Sequence, residues 1–203
     1  MRLVVHPDNP QSRSITRAVE ALRAGQLMVY PTDSGYAFGW ALGQKAVDDR
    51  VRQLRQLDRR HPFTLMCRDL RQVAMVARMD DAAFRMIRGR TPGPYTFILP
   101  AARELPRRLL DEKRRAIGVR IADSRVVDAL LDALDEPFLS SSLSLPGVDF
   151  AGLEVDEIHD VVGDRVDVFV DAGAVPGEPS TVIDLVGESP KVLRLGRGKV
   201  EFQ

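Results

Sequence analysis

The sequence contains little of what several kinds of functional site require. Its 203 residues include one cysteine, Cys67, one asparagine, Asn9, and three histidines. A single cysteine excludes an internal disulfide and any zinc or iron–sulfur site built from several thiolates. Three histidines are too few to favour a metal site made of imidazoles. We therefore expect no metal ion held by protein side chains.

Long apolar runs are also absent. No uninterrupted apolar stretch approaches the ~18 residues of a membrane helix. The N-terminal apolar run of three residues is far shorter than the ~7 of a signal peptide. We expect a cytoplasmic protein with no membrane partner, in which the lone thiol stays reduced. Hydrophobic residues make up 44% of the chain, enough for a core, and the length suits one domain over residues 1–203.

Lysine is scarce, since the chain has 25 arginines and only 4 lysines. The net charge is zero, but it is unevenly distributed. Residues 50–120 carry 18 basic and 7 acidic side chains, whereas residues 121–190 carry 2 basic and 16 acidic ones. A basic segment of this kind favours nucleic acid or phosphate ligands. The alternative is that the two segments pair with each other in the fold.

Helical and strand patterns alternate along the chain, which predicts an α/β fold with a mixed, twisted sheet. Helices are predicted over 13–24, 45–57, 70–77, 81–88, 105–110, 124–134 and 155–162. Strands are predicted over 2–5, 27–30, 63–66, 95–99, 116–121, 138–140, 166–170, 182–185 and 192–195. The segment 31–40 is interpreted as a turn and 141–152 as a long loop, and long loops are often functional.

Several polar segments could bind an anion, although each has a simpler structural interpretation. In PTDSGYAFG (31–39), Asp33 and Ser34 follow a strand, and glycine lets the backbone approach a ligand. In 50–63, Arg55 and His61 could face a phosphate or belong to a solvated basic helix face. Arg120 lies among apolar strand residues, so it needs either a structural carboxylate or an anionic ligand.

Taken in order, six segments resemble the Sua5/YciO/YrdC family. They are PTDSGYAFG, HPFTLM, TPGPYTFIL, AIGVRIADS, SSSLSLPG and PSTVIDL with VLRLG. The similarity covers roughly residues 15–196, and HPDNP, FTLMCRDL and KRRAIGVR are similar to the YciO branch. The resemblance implies a twisted open sheet with flanking helices around a large basic cleft.

The resemblance also implies an activity. ATP, L-threonine and bicarbonate would give L-threonylcarbamoyladenylate and pyrophosphate, with Mg²⁺ on the nucleotide, for the threonylcarbamoyladenosine modification of tRNA. The family is also described as binding double-stranded RNA and tRNA. Carried over residue by residue, the threonine side comprises Ser34, His61, Arg120, Ser140 and Ser180. The ATP side comprises Arg55, Thr96, Ser142, Ser144 and Arg194, of which Arg55, Ser142 and Arg194 are expected to be catalytic.

Two departures from the family's synthase pattern change what we expect. Synthases carry Lys-x-Arg and Ser-x-Asn, where this chain has Arg55-Gln56-Leu57 and Ser142-Leu143-Ser144. No lysine lies between Lys45 and Lys113, and the only asparagine is far away, so neither motif is merely displaced. Arg59 or Arg60 could replace the missing arginine. The sequence thus favours a divergent synthase or a related adenylate-forming enzyme, with an RNA-binding module that has lost efficient catalysis as the alternative.

Overall fold

The computed structural model describes residues 1–59, 61–111 and 113–200. Its strands are β1 (Arg2–Val4), β2 (Met28–Thr32), β3 (Gly35–Trp40), β4 (Thr64–Met66), β5 (Tyr95–Pro100), β6 (Ala116–Arg120), β7 (Phe138–Ser142), β8 (Val168–Asp171), β9 (Thr181–Asp184) and β10 (Lys191–Arg194). Its α-helices are α1 (Ser12–Arg23), α2 (Lys45–Arg55), α3 (Leu70–Val76), α4 (Asp81–Arg88), α5 (Arg125–Leu134) and α6 (Val155–Val162). None of the helices in these described ranges is long and apolar enough to cross a membrane.

The ten strands form one open sheet in the order β1-β8-β2-β3-β7-β4-β6-β5-β9-β10. Four of its neighbouring pairs are parallel and the other five are antiparallel. The predicted α/β class with a mixed open sheet is therefore confirmed. Strands β1 and β10 are its two edges.

Helices cover the sheet because each has one apolar stripe that must be buried. Helices α1 and α5 pack together on one face, where Leu22, Leu130 and Leu131 are almost wholly buried. A second cluster buries apolar residues of α2, α3, α4 and α6, including Val51 and Val162. Residues two apart on a strand share a face, and this alternation decides which strand side chains enter each cluster.

The predicted turn over 31–40 is wrong. Strand β2 continues through Pro31 to Thr32, and after a two-residue turn the chain returns as β3, which pairs with β2 and β7. Glycine made this segment look like a turn, but Gly39 has a packing role. A Cβ there would lie 2.9 Å from a ring carbon of Tyr30, so only glycine leaves room for the ring.

Two other segments differ from prediction. Strand β7 extends to Ser142, because Ser142 pairs with Ala37 of β3, so the loop begins later than expected. Residues 105–110 form only a 3-10 turn over Arg107–Leu109. The helix predicted to start behind Ser124 is confirmed, since the Ser124 hydroxyl accepts from the Val127 N–H. The remaining elements agree with prediction to within two residues at each end.

Candidate active site

A cavity of about 770 Å³ lies over the middle of the sheet. Its floor includes Thr64 of β4 and Ser140 of β7, which are paired in register. Two residues along the same strand faces, Met66 and Phe138 are buried in the cluster with α1 and α5. One face of the sheet is thus covered by helices at one end and carries the cavity at the other.

All ten candidate side chains line this one cavity. They are Ser34, Arg55, His61, Thr96, Arg120, Ser140, Ser142, Ser144, Ser180 and Arg194. They come from positions 160 residues apart in the chain, and the twisted sheet brings them together. Their individual roles toward threonine and ATP stay predictions.

Arg120 has a structural carboxylate partner. Its guanidinium forms an ion pair with Asp33 and donates to the Ser34 hydroxyl at 2.7 Å. The other Asp33 oxygen accepts from the Asp123 N–H at 3.0 Å. Both side chains of the ion pair are about 10% exposed. Breaking such a pair by removing one partner costs about 3–5 kcal/mol, so the pair holds β6 to the β2–β3 turn.

Three guanidinium groups converge in the cavity. Burial, followed by the charge of Arg194, lowers the pKa of Arg55, and burial, followed by the charge of Arg120, lowers the pKa of Arg194. The Nε atoms of Arg55 and Arg120 are buried and lack an acceptor within the described part of the chain. Burial without a full set of acceptors is costly for a cation, so these groups are arranged to accept an anionic ligand.

A serine hydroxyl and a serine carbonyl fix the positions of Arg55 and Arg194. Arg55 donates to the Ser141 hydroxyl, and Arg194 donates to the Ser180 carbonyl at 2.8 and 3.1 Å. The Ser180 hydroxyl also lies 2.8 Å from that of Thr96. These bonds preorganise donors, which is how a site stabilises charge without reorganising at the moment of reaction.

The Ser140 hydroxyl is held in place by a side chain of β2. It lies 2.7 Å from the Tyr30 hydroxyl. Burial raises the pKa of Tyr30, so the phenol stays protonated and can donate to Ser140. The same Tyr30 ring occupies the space beside Gly39, which links this strand pair to the cavity floor.

His61 lies at the rim of the cavity and keeps contact with solvent. Partial burial, followed by the charges of Arg55 and Arg52, lowers its pKa below the ordinary 6.5. The imidazole is therefore neutral near pH 7 and can accept a proton.

The residues at the two departures from the synthase pattern do not all reach the cavity. Arg55 and Ser142 line the cavity, but Leu57 packs against the apolar core and is not among the lining residues. Arg59 is exposed and also lies outside the lining, so it does not replace an arginine there. Arg60 lies outside the described residues.

Sequence reasoning did not assign eight polar lining residues, which are Thr32, Tyr36, Thr64, Asp111, Arg114, Ser141, Asp149 and Glu154. Thr64 and Ser141 are strand residues that the register places beside assigned ones. Asp111 and Arg114 approach from the segment before β6. Strand alternation could have suggested Thr64, two residues before the core residue Met66, but the approach of Asp111 and Arg114 depends on tertiary structure.

Among residues 1–59, 61–111 and 113–200, no three His, Cys, Asp or Glu side chains form a cluster that could hold a metal ion. A magnesium ion would instead be carried by nucleotide phosphates, which supply most of its ligands in such sites. The arginine cluster with its orphaned Nε atoms fits those phosphates.

Comparisons with known proteins bear on the family and the fold. Residues 20–196 match the Sua5/YciO/YrdC family model, described as "Telomere recombination". The chain is 48% identical to "Uncharacterized protein YciO" of Escherichia coli strain K12 over 97% of this chain and 96% of that protein. The crystal structure of E. coli YciO superposes with a TM-score of 0.93 at 47% identity, covering 99% and 98% of the two chains.

Two more distant relatives carry names that state an activity or a ligand. A "Putative threonylcarbamoyl-AMP synthase" of Mycobacterium tuberculosis is 30% identical over 92% of this chain and 85% of that protein. Sua5 of P. abyssi, whose crystal structure is complexed with L-threonine, superposes with a TM-score of 0.87 at 21% identity. That match covers 97% of this chain and 57% of Sua5, and it supports the fold alone.

Proposed function

Because the chain belongs to the Sua5/YciO/YrdC family, we propose that it is a divergent L-threonylcarbamoyladenylate synthase, acting on ATP, L-threonine and bicarbonate. Relatives named as threonylcarbamoyl-AMP synthases support the reaction class. The observation that carries the proposal is the convergence of Arg55, Arg120 and Arg194 on one cavity, with two buried nitrogens that lack an acceptor.

The chemistry requires donors for negative charge. Threonine's amine and bicarbonate form a carbamate with loss of water, a carbamate oxygen attacks the α-phosphate, and pyrophosphate leaves. In this proposal Arg55 and Arg194, which line the cavity, bind phosphate oxygens, and Ser142 supports them. His61, whose pKa is lowered by burial and nearby guanidinium groups, takes the proton that the amine must lose.

Arg55 stands where synthases have lysine, and this substitution should alter rate more than fold. A guanidinium is a planar fork, whereas an ammonium is a compact point charge, so the two hold phosphate differently. Arg55 still brings a cation to the cavity, so we expect slow turnover.

The test is threonine-dependent release of pyrophosphate by the purified protein with ATP, bicarbonate and Mg²⁺. We expect slow release that falls about 10²–10³-fold in Arg55→Ala, the scale of losing one preorganised donor. Arg59→Ala, an exposed arginine outside the cavity, is the control and should retain activity. Release no greater than a buffer blank would overturn the synthase proposal.

Binding of double-stranded RNA or tRNA is the second candidate function. One observation favours it. Seven arginines of the basic segment are exposed and form no ion pair within the described ranges, namely Arg59, Arg78, Arg85, Arg88, Arg103, Arg107 and Arg115. Exposed guanidinium groups of this kind suit a phosphate backbone.

A further inference from the structure

The cavity has a second polar group at the end of β6 that is farthest from Arg120. Asp111 and Arg114 line it there, just before Ala116. Arg120 is four positions after Ala116 in the strand. At about 3.3 Å per residue, the two ends of β6 lie roughly 13 Å apart. The floor is thus long enough to hold an extended nucleotide.

Arg114 is held in place but keeps free donors. Its Nη2 donates to both oxygens of Asp184, at 2.6 and 2.5 Å, and Asp184 also accepts from the Val186 N–H. The Asp184 side chain is only 8% exposed, so the ion pair is firmly seated. The Nε and Nη1 groups of Arg114 form no hydrogen bond with any part of the chain that the structure describes.

Asp111 likewise uses only one of its two carboxylate oxygens in hydrogen bonds to the described part of the chain. Its Oδ1 accepts the N–H groups of Lys113 and Arg114, both at 3.0 Å, which fixes the carboxylate's orientation. Its Oδ2 has no donor among residues 1–59, 61–111 and 113–200. An oriented acceptor and an oriented donor therefore stand together in the cavity wall.

The two ends of the cavity differ in charge. Around the arginine cluster, Arg120 is paired with Asp33, whereas Arg55 and Arg194 form no ion pair within the described residues. Two further carboxylates of the lining, Asp149 and Glu154, belong to the segment that leads into α6. At the other end, Arg114 is balanced by Asp184, and Asp111 adds a negative charge. A ligand with one anionic end and one neutral, hydrogen-bonding end would bind in a single orientation.

Part of the floor between the ends is apolar. It is formed by Ile98, Ala116, Gly118 and Val182, with the hydroxyl residues Thr64 and Thr96 beside them in register. A Cβ at Gly118 would lie 2.8 Å from the Thr64 Oγ1, so this point of the floor has no space for a side chain. An apolar surface between two polar ends suits the faces of a sugar and a base.

We propose that Asp111 and Arg114 form a nucleoside-recognition subsite that selects the neutral end of the nucleotide bound by the arginine cluster. Asp111 Oδ2 accepts from a donor of the nucleoside, either the base's exocyclic amine or a ribose hydroxyl, and Arg114 donates to an acceptor of the base. The inference rests on the nucleotide binding in the proposed function and adds residues that distinguish a nucleotide from a bare polyphosphate.

Isothermal titration of the full chain in Mg²⁺ tests it with ATP, tripolyphosphate, inosine triphosphate and 2′,3′-dideoxy-ATP. Asp111→Asn keeps the Oδ1 bonds, and Arg114→Lys keeps a cation beside Asp184, so both variants should fold, which thermal unfolding checks. We expect each to bind ATP about 10- to 100-fold more weakly and tripolyphosphate as the wild type does. Arg103→Lys, outside the cavity, is the matched control.

The nucleotide analogues identify the donor. If Asp111 contacts the amine, the wild-type protein should bind inosine triphosphate more weakly than ATP. If Asp111 contacts the ribose, the wild-type protein should bind dideoxy-ATP more weakly than ATP. In either case Asp111→Asn should bind that analogue and ATP equally well. Wild-type affinity for ATP in both Asp111→Asn and Arg114→Lys would overturn the subsite. ATP binding without pyrophosphate release would overturn the synthase proposal alone, whereas binding of neither ATP nor tripolyphosphate would overturn both.

Discussion

Arg120 and His61 illustrate two ways in which a single residue acquires its properties from neighbours. The Arg120 guanidinium tolerates burial because Asp33 and Ser34 accept its hydrogen bonds. The pKa of His61 is lowered because burial and the guanidinium groups of Arg55 and Arg52 disfavour the imidazolium, although the charge of Asp58 acts in the opposite direction. Both residues were identified from sequence as site candidates, but the sequence left open whether Arg120 pairs with a carboxylate or a ligand.

The lowered pKa of His61 has a measurable consequence. We expect its imidazole to titrate below pH 6.5 in an NMR pH series. Arg55→Gln should move the midpoint upward, but only part of the way, because burial is the larger cause. Arg71→Gln, on the surface of α3, should leave it unchanged, and a midpoint at or above 6.5 in the wild type would contradict the structure.

The same shift affects stability with a definite sign. Between the lowered folded value and 6.5, the unfolded chain binds more protons at His61 than the native state. The stability of the wild type relative to His61→Gln should therefore fall as pH decreases through 6.5 and level off below the folded pKa. Urea denaturation of both proteins across that range measures the difference.

At the scale of elements, β3 decides the geometry of the site. It lies between β2 and β7, so its backbone forms hydrogen bonds on both edges. Tyr30 pairs with Ala37 and Ser140 with Gly39, so the two hydroxyls meet diagonally across β3, 2.7 Å apart. From sequence, two glycines and a proline in this region favoured a turn. That local signal was misleading because Gly39 is required by the Tyr30 ring, which belongs to a neighbouring strand.

Gly39→Ala tests this packing role. The added Cβ would lie 2.9 Å from the Tyr30 ring, so either the ring or the strand must move. We expect a loss of about 1–3 kcal/mol in the free energy of unfolding, typical of overpacking a core. Gly187→Ala, where the nearest atom is 4.0 Å away, is the control and should change stability little. Equal stability of the two variants in chemical denaturation would show that the Tyr30 contact does not constrain β3.

At the scale of the whole molecule, the basic and acidic segments partly neutralise each other. Arg50 pairs with Asp167, Arg68 contacts Asp132, and Arg114 pairs with Asp184. The sequence left two interpretations of the basic segment open. These ion pairs confirm in part that the two segments pair with each other, whereas binding of a phosphate or nucleic acid stays a prediction. Some arginines join the acidic segment or the cavity, while others remain on the surface.

The surface arginines make RNA binding testable. If they bind a phosphate backbone, affinity for double-stranded RNA should drop steeply between about 50 and 200 mM salt, because phosphate contacts release counterions. The double change Arg85→Ala and Arg88→Ala on α4 should reduce both the affinity and the salt slope, measured by fluorescence anisotropy. Arg13→Ala with Arg17→Ala on α1 is the control. Affinity that ignores salt would count against RNA as a partner.

The sequence by itself determined the alternation of elements, the family resemblance and the ten candidate side chains, because periodicity and motif order are local properties of the chain. The tertiary structure alone decided that Arg120 pairs with Asp33, that Leu57 joins the core and that Asp111 and Arg114 reach the cavity. These contacts join residues far apart in sequence, and only the strand order and the twist of the sheet specify which of them meet.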